Sequence, residues 1–308
     1  MRATTGRPRA LRRVRVWPIA AALVAGILVG VVVAPAVQSA IRDGSDGAVA
    51  GPAVVYGQPT ATGSGDQPLP AVAARSFAVY DATAGRFLAS RGLDVELPVA
   101  SITKLMTASV VIAEGDLDRT VQIPALETAR DELVAGLEAG EELTRRQLLA
   151  LLLIPSAGDA AEALAATGGT TRGGFVDRMN ARARTLGLRH TRYVNPVGLD
   201  APGQHSTARD VVVLAARVMR SPTIRAIVRR TEARLHGRVL TATNRLLGTG
   251  FGIDGVKTGH TDEAGWCIVA SVVHRGHRIV IAVLGAPGEA LRDTGVRALL
   301  SWAQAAGR

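Results

Sequence analysis

GIDGVKTGHTDEAGWCIVASVVHRGHRIVIAVLGA, residues 252–286, decides how this chain folds. Its runs GVKTGHT (255–261), GWCIVASVVH (265–274) and HRIVIAVLGA (277–286) read as strands, the last two joined by an Arg275-Gly276 turn. A helix is expected beyond them, over about 289–306. Far upstream, SFAVYDA (76–82) and RFLASRG (86–92), separated by Thr83-Ala84-Gly85, read as a β-hairpin. Between the two sets of strands the apolar period is helical. ITKLMTASVVIAEG (102–115) ends at Gly115, and TRRQLLALLLIP (144–155) starts at Thr144 and stops at Pro155. DAAEALAATGG (159–169) has Asp159 as its expected N-cap, TRGGFVDRMNARARTLGL (171–188) follows, and STARDVVVLAARVMRS (206–221) is capped by Ser206 or Thr207. Strands at both ends with helices between predict an α/β fold: a mostly antiparallel sheet built from both chain ends around a helical insertion.

With 47% hydrophobic and 20% charged residues over 308 positions, most of the chain has the composition of a globular core, which excludes disorder for it. The net charge of +10 is concentrated at the start, where Arg2, Arg7, Arg9, Arg12, Arg13 and Arg15 precede any acid. Aromatics make up only 3%, too few to build stacking platforms for bases, so no nucleic-acid partner is expected. Residues 17–37 carry no charge and are long enough to span a bilayer as a helix, with the preceding arginines on the cytoplasmic side. Small residues around Ala34-Pro35-Ala36 and Val37-Gln38-Ser39 leave signal-peptide cleavage open. The expected organisation is a basic cytoplasmic segment (1–16), a membrane anchor or signal peptide (17–37), a Gly/Pro/Ser-rich tether (38–74) and an extracytoplasmic domain (75–308). Cys267 cannot close a disulfide within the chain and reads as a buried strand thiol.

Of 36 cationic side chains only Lys104 and Lys257 are lysines. An ammonium loses its proton when buried or set beside another cation, whereas a guanidinium effectively does not. The first lysine closes Ser101-x-x-Lys104 at a helix start, where residues three apart share a face and the helix dipole favours negative charge on the Ser101 oxygen. The second opens Lys257-Thr258-Gly259, and a side-chain-free Gly259 lets another backbone lie close to the strand. Between them Ser156 sits in an interhelical loop. The six histidines show no ligand spacing, so neither a metal nor a cofactor is expected. Asn195 and Asn244 read as loop-fixing hydrogen-bonders, Glu162 as a solvated or capping carboxylate, and Asp254 and Asp262 as structural or rim residues.

Ser-x-x-Lys, then Ser156, then Lys-Thr-Gly resembles the penicillin-recognising serine enzymes, the class of penicillin-binding proteins and β-lactamases, and within it the low-molecular-mass D-alanyl-D-alanine carboxypeptidases. VASITKLMTA (99–108), YVNPVGLDAPGQHSTARD (193–210), NRLLG (244–248) and GIDGVKTGHTDEAGWCIVAS (252–271) extend the resemblance over roughly residues 75–308. It implies a catalytic set of Ser101 as nucleophile, Lys104 as its base, helped by the cation Lys257, and Ser156 as proton relay. It implies substrate binding by Lys257, Thr258, Gly259, His260 and the position of Gly158, with the oxyanion on the N–H groups of Ser101 and His260. The implied partners are peptidoglycan stem peptides and, as covalent inhibitors, β-lactams. One departure stands out: the family reads Ser-x-Asn where this chain reads Ser156-Ala157-Gly158, which removes a side-chain amide from the site. A muropeptide- or β-lactam-binding module without turnover, and a β-lactamase, are the alternative readings, the latter lacking any Glu-x-x-x-Asn segment between Ser156 and Lys257.

Overall fold

Both faces of the central strands are covered, and for that reason they read as unbroken apolar runs. The computed structural model describes residues 60, 61, 68–126, 132–169 and 171–305. In chain order its elements are β1 (Thr60–Ala61), β2 (Ser76–Asp81), β3 (Arg86–Arg91), a 3₁₀ turn (Ala100–Thr103), α1 (Lys104–Glu114), β4 (Thr120–Gln122) and β5 (Glu142–Thr144). Then come α2 (Arg145–Leu153), α3 (Gly158–Ala166), α4 (Arg172–Thr185), α5 (Ala208–Val218) and α6 (Pro222–Val228). The hairpin β6 (Glu232–Leu235) and β7 (Arg238–Thr241) leads to β8 (Ile253–Thr261), β9 (Gly265–His274), β10 (His277–Ala286) and α7 (Glu289–Ala305).

The main sheet has the order β1-β3-β2-β10-β9-β8 with every pair antiparallel, so strands from both ends of the domain meet where β2 pairs β10. Along β10 the alternation is strict. Ile279, Ile281 and Val283 join a core with Val296, Leu299, Leu300 and Trp302 of α7, while Val280, Ala282 and Leu284 face the core built on the helical side. On that side α5 packs against β2 and β10, and α1 runs through the middle in contact with α2, α3, α4 and α5. Leu105, Met106, Ala108 and Val111 are accordingly inaccessible to solvent. The expected fold, with its sheet from both chain ends, is the one observed.

Several helix starts follow sequence chemistry closely. Thr144 caps α2 in a reciprocal box: its hydroxyl accepts from the Gln147 N–H, and the Gln147 side chain accepts from the Thr144 N–H at 2.7 Å. Thr207, one of the two residues expected, caps α5. Asp159 does not cap α3, whose N-cap is Ala157; its carboxylate accepts instead from the N–H groups of Ala135, Gly136 and Leu137 at 2.8–3.0 Å. Ordered structure also begins before residue 75. Thr60 and Ala61 pair with Ser90 and Ala89, and Val72 and Ala74 are buried. The segments 1–16 and 17–37 and most of the expected tether lie outside the described residues, among which no helix is long and apolar enough to cross a membrane.

Candidate active site

Ser101 sits in a single 3₁₀ turn whose last residue abuts α1. In that geometry residues i and i+3 eclipse, so the Lys104 side chain rises directly beside Ser101. Its Nζ donates to Ser101 Oγ at 3.0 Å and to the Val197 carbonyl at 2.8 Å. The turn is entered through Ala100 at φ 48°, a left-handed conformation that costs a non-glycine residue about 1–3 kcal/mol. Ser156 is held in the same region at φ 67°. Ser156 and the residue before Ser101 therefore carry strained backbone, a feature that concentrates at functional sites.

Lys257 projects from β8, the strand at the open edge of the sheet, and its Nζ donates to Ser156 Oγ and to the Thr258 carbonyl, each at 2.8 Å. Thr258 Oγ1 bonds Thr243 Oγ1 at 2.7 Å. A Cβ on Gly259 would lie 2.9 Å from both Ser101 N and the Val99 carbonyl oxygen, so the absence of a side chain there lets β8 close onto the nucleophile turn. Gly198 does the same from the other side, since its Cβ would meet the Ala100 carbonyl at 2.1 Å. Asn195 shapes that loop, accepting from the Val197 and Gly198 N–H groups and donating to the Leu199 carbonyl, and in doing so aims the Val197 carbonyl at Lys104.

Ser101, Lys104, Ser156, Thr258, Gly259 and His260 all line one cleft of about 1090 Å³. The ring of His260 stacks on Trp266 with centroids 4.1 Å apart. The sequence-selected residues are thus brought together, with Lys257 buried beneath Ser156 and Gly158 opening α3 just beyond it. Cys267, by contrast, is inert packing, its thiol pushed up to about 11 by burial.

Burial acts on both lysines, and their charged neighbours differ. Burial lowers Lys104 to about 8, held there by the carboxylates of Glu132, Glu162 and Asp159, which favour the ammonium. Lys257 falls well below the usual lysine range, first through burial and then through the cations Lys104 and Arg292. Carboxylates thus act on Lys104, and cations act on Lys257. Two of these groups escaped sequence reading. Arg292 is 1% exposed on α7, ion-paired with Asp293 and Glu289, and reaches the cleft from the far side of the sheet. Glu132 reaches it from the segment between β4 and β5, and no local pattern marks either residue. Glu162, expected to be solvated or capping, instead forms a two-pronged ion pair with Arg172.

This architecture is that of penicillin-binding proteins. The described fold is similar to a crystal structure of an evolved penicillin-binding protein homologue from Mycobacterium tuberculosis, with a TM-score of 0.73 and 32% identity over 79% of this chain and 95% of that one. It is also similar to a Listeria monocytogenes penicillin-binding protein solved in its cefotaxime-bound form, with a TM-score of 0.69 and 30% identity over 76% and 98% of the two chains. The chain belongs to the D-alanyl-D-alanine carboxypeptidase family of S11 peptidases, whose family model matches residues 62–288. Among curated relatives, the D-alanyl-D-alanine carboxypeptidase DacF of Bacillus subtilis is 31% identical over 75% of this chain and 62% of its own length. DacB2 of Mycobacterium tuberculosis, also a D-alanyl-D-alanine carboxypeptidase, is 35% identical over 72% and 78%. The chain therefore spans a little over three fifths of DacF.

Proposed function

We propose that this chain is a serine-type D-Ala-D-Ala carboxypeptidase that removes the terminal D-alanine of peptidoglycan stem peptides through an acyl-enzyme on Ser101. The observation that carries the reading is the 3.0 Å hydrogen bond between Ser101 Oγ and a buried lysine whose proton is made labile. Lys104 takes the Ser101 proton as Oγ attacks the carbonyl of the penultimate residue. The resulting oxyanion rests on the Ser101 and His260 N–H groups, each donor of this kind being worth about 10²–10³ in rate. Collapse breaks the peptide bond, and Ser156, bonded to Lys257, relays a proton to the departing amine of D-alanine. Water then cleaves the ester and restores the Ser101 hydroxyl.

Lys257 and Thr258 receive the terminal carboxylate of the substrate. That anion favours the charged form of Lys257, which burial disfavours. Lys257 is then the cation that stays charged, and Lys104 the group whose proton moves. β-Lactams enter as substrate mimics and acylate the same oxygen. The apolar run at 17–37, preceded by arginines, supports an extracytoplasmic site of action, anchored at or released from the membrane. Incubation with a stem-peptide analogue ending in D-Ala-D-Ala tests the reading. Release of D-alanine by the wild type and not by Ser101→Ala is expected; ligand binding without release in either would favour a pure binding module.

A further inference from the structure

Two threonine hydroxyls meet beside Lys257. Thr258 Oγ1 donates to Thr243 Oγ1 at 2.7 Å, and both residues line the cleft that holds Ser101 and Ser156. Thr258 is buried on β8, whereas Thr243 is half-buried in the connection from β7 to β8. Backbone hydrogen bonds fix that connection in place. The Ala242 N–H donates to the Thr231 carbonyl at 2.8 Å, and the Thr243 N–H to the Ile154 carbonyl at 3.1 Å. Ile154 stands two residues before Ser156, so a ring closes. Thr243 meets Thr258 through their hydroxyls, the Thr258 carbonyl accepts from Lys257 Nζ, Lys257 Nζ donates to Ser156 Oγ, and the Ser156 loop returns to Thr243 through Ile154.

We infer that Thr243 is a positioning residue for recognition of the substrate's terminal carboxylate: it holds the Thr258 hydroxyl in place and supplies the hydrogen bond that lets that hydroxyl turn to the substrate. The inference rests on the reading of Thr258 as a receiver of the carboxylate. A threonine hydroxyl has one proton to donate and two lone pairs to accept with. In the structure the Thr258 proton is directed at Thr243. To bond an arriving carboxylate it must turn away, which would leave a buried oxygen short of a partner. Thr243 prevents that loss. Its own hydroxyl donates to Thr258 Oγ1 as the Thr258 proton swings to the carboxylate, so the contact persists with its direction reversed. A hydroxyl that accepts one hydrogen bond while donating another is polarised by the first and donates more strongly, and a bond to an anion gains most from this. Valine at position 243 has nearly the same shape and keeps the backbone that carries Arg245 into the cleft, but it can neither accept nor donate. Serine can do both. Because Thr243 acts through a group that meets the carboxylate, its loss falls on substrates with an anionic end and spares those with a neutral one.

The test uses two thioester analogues of the stem-peptide terminus that differ only in the end group, a carboxylate in one and its methyl ester in the other. A thiolate leaves without taking a proton, so thiol release reads recognition and attack apart from the Ser156 relay. Release is followed for wild type, Ser101→Ala, Thr243→Val and Thr243→Ser, with thermal melts as a check on folding. Turnover of the acid by wild type and not by Ser101→Ala secures the reading on which the inference rests; its absence sinks that reading and the inference with it. Given that turnover, Thr243→Val is expected to lose at least about fivefold in kcat/KM on the acid and less than about twofold on the ester, a single hydrogen bond being worth about the larger factor. Thr243→Ser is expected to stay within about twofold of wild type on both substrates, because its hydroxyl makes the same bond. Equal losses on acid and ester in Thr243→Val, the mark of a merely structural role, overturn the inference, as does no loss on the acid. If the ester turns over too slowly to read, Thr243→Ser decides on the acid alone: wild-type rates support the inference, and a loss as large as that of Thr243→Val overturns it.

Discussion

Titrating Lys104 is the most discriminating perturbation of the site. An ordinary lysine at pH 7 is neutral in only about one molecule in three thousand, whereas one lowered to about 8 is neutral in about one in ten. If Lys104 is the base, acylation of the free enzyme rises about tenfold per pH unit below pH 7 and levels off above about pH 8. Stopped-flow measurement of the second-order rate with a fluorescent penicillin between pH 5.5 and 10 reads this directly. The same shift has an equilibrium signature. Moving a lysine from 10.5 to about 8 amounts to about 3 kcal/mol, and the side chain is 2% exposed, so little of it is lost to solvent screening. A lysine whose folded pKa is depressed opposes folding fully below the folded value, where the buried ammonium must be kept. That penalty is relieved as pH rises from about 8 to 10.5, because there the unfolded chain holds the proton and the folded one does not. The stability gap between wild type and Lys104→Met, followed by urea denaturation, is expected to move in favour of wild type across that window. A rate profile with no break below pH 9, together with a stability gap independent of pH, would refute the role given to burial.

Gly259→Ala is expected to slow acylation at least about tenfold with little change in melting temperature, because its Cβ at 2.9 Å from Ser101 N pushes β8 off the nucleophile turn; a rate equal to wild type would show that the strand has room. Lys104→Arg is expected to lose activity by about a hundredfold or more, since a fixed guanidinium bonded to Ser101 Oγ cannot take its proton, whereas Lys257→Arg is expected to keep more activity because it keeps the charge. The reverse ranking of the two variants would contradict this division of roles. Thr144→Ala, which removes the capping box far from the cleft, is expected to lower stability by about 0.5–2 kcal/mol in urea melts and to leave the acylation rate unchanged.

The sequence carried the sheet because strands buried on two faces, such as 277–286, leave a dense apolar signal, and it carried α2 and α5 because Thr144 and Thr207 are strong caps. The short β4–β5 and β6–β7 pairs and α6 were not read, since three or four residues per strand show no period and α6 is only seven residues long. Asp159 misled for a definable reason. A carboxylate at a helix start suits the dipole whether or not it caps, and here its lone pairs were taken by three amides from a distant loop. The pairing of Ala61 and the burial of Ala74 were not legible, because small residues look alike in sequence whether or not they pair or pack. Ser101, Lys104, Ser156 and the Lys257 strand were legible as motifs, local in sequence. Glu132 and Arg292 were not, because they reach the cleft through tertiary structure alone.

The nucleophilic role of Ser101 is tested most directly by the intact mass of the protein after benzylpenicillin treatment, followed by mapping of the adduct. A single covalent addition on the peptide containing Ser101, absent in Ser101→Ala, is the expected result. No adduct on the folded wild type, or one mapped to another residue, would contradict it.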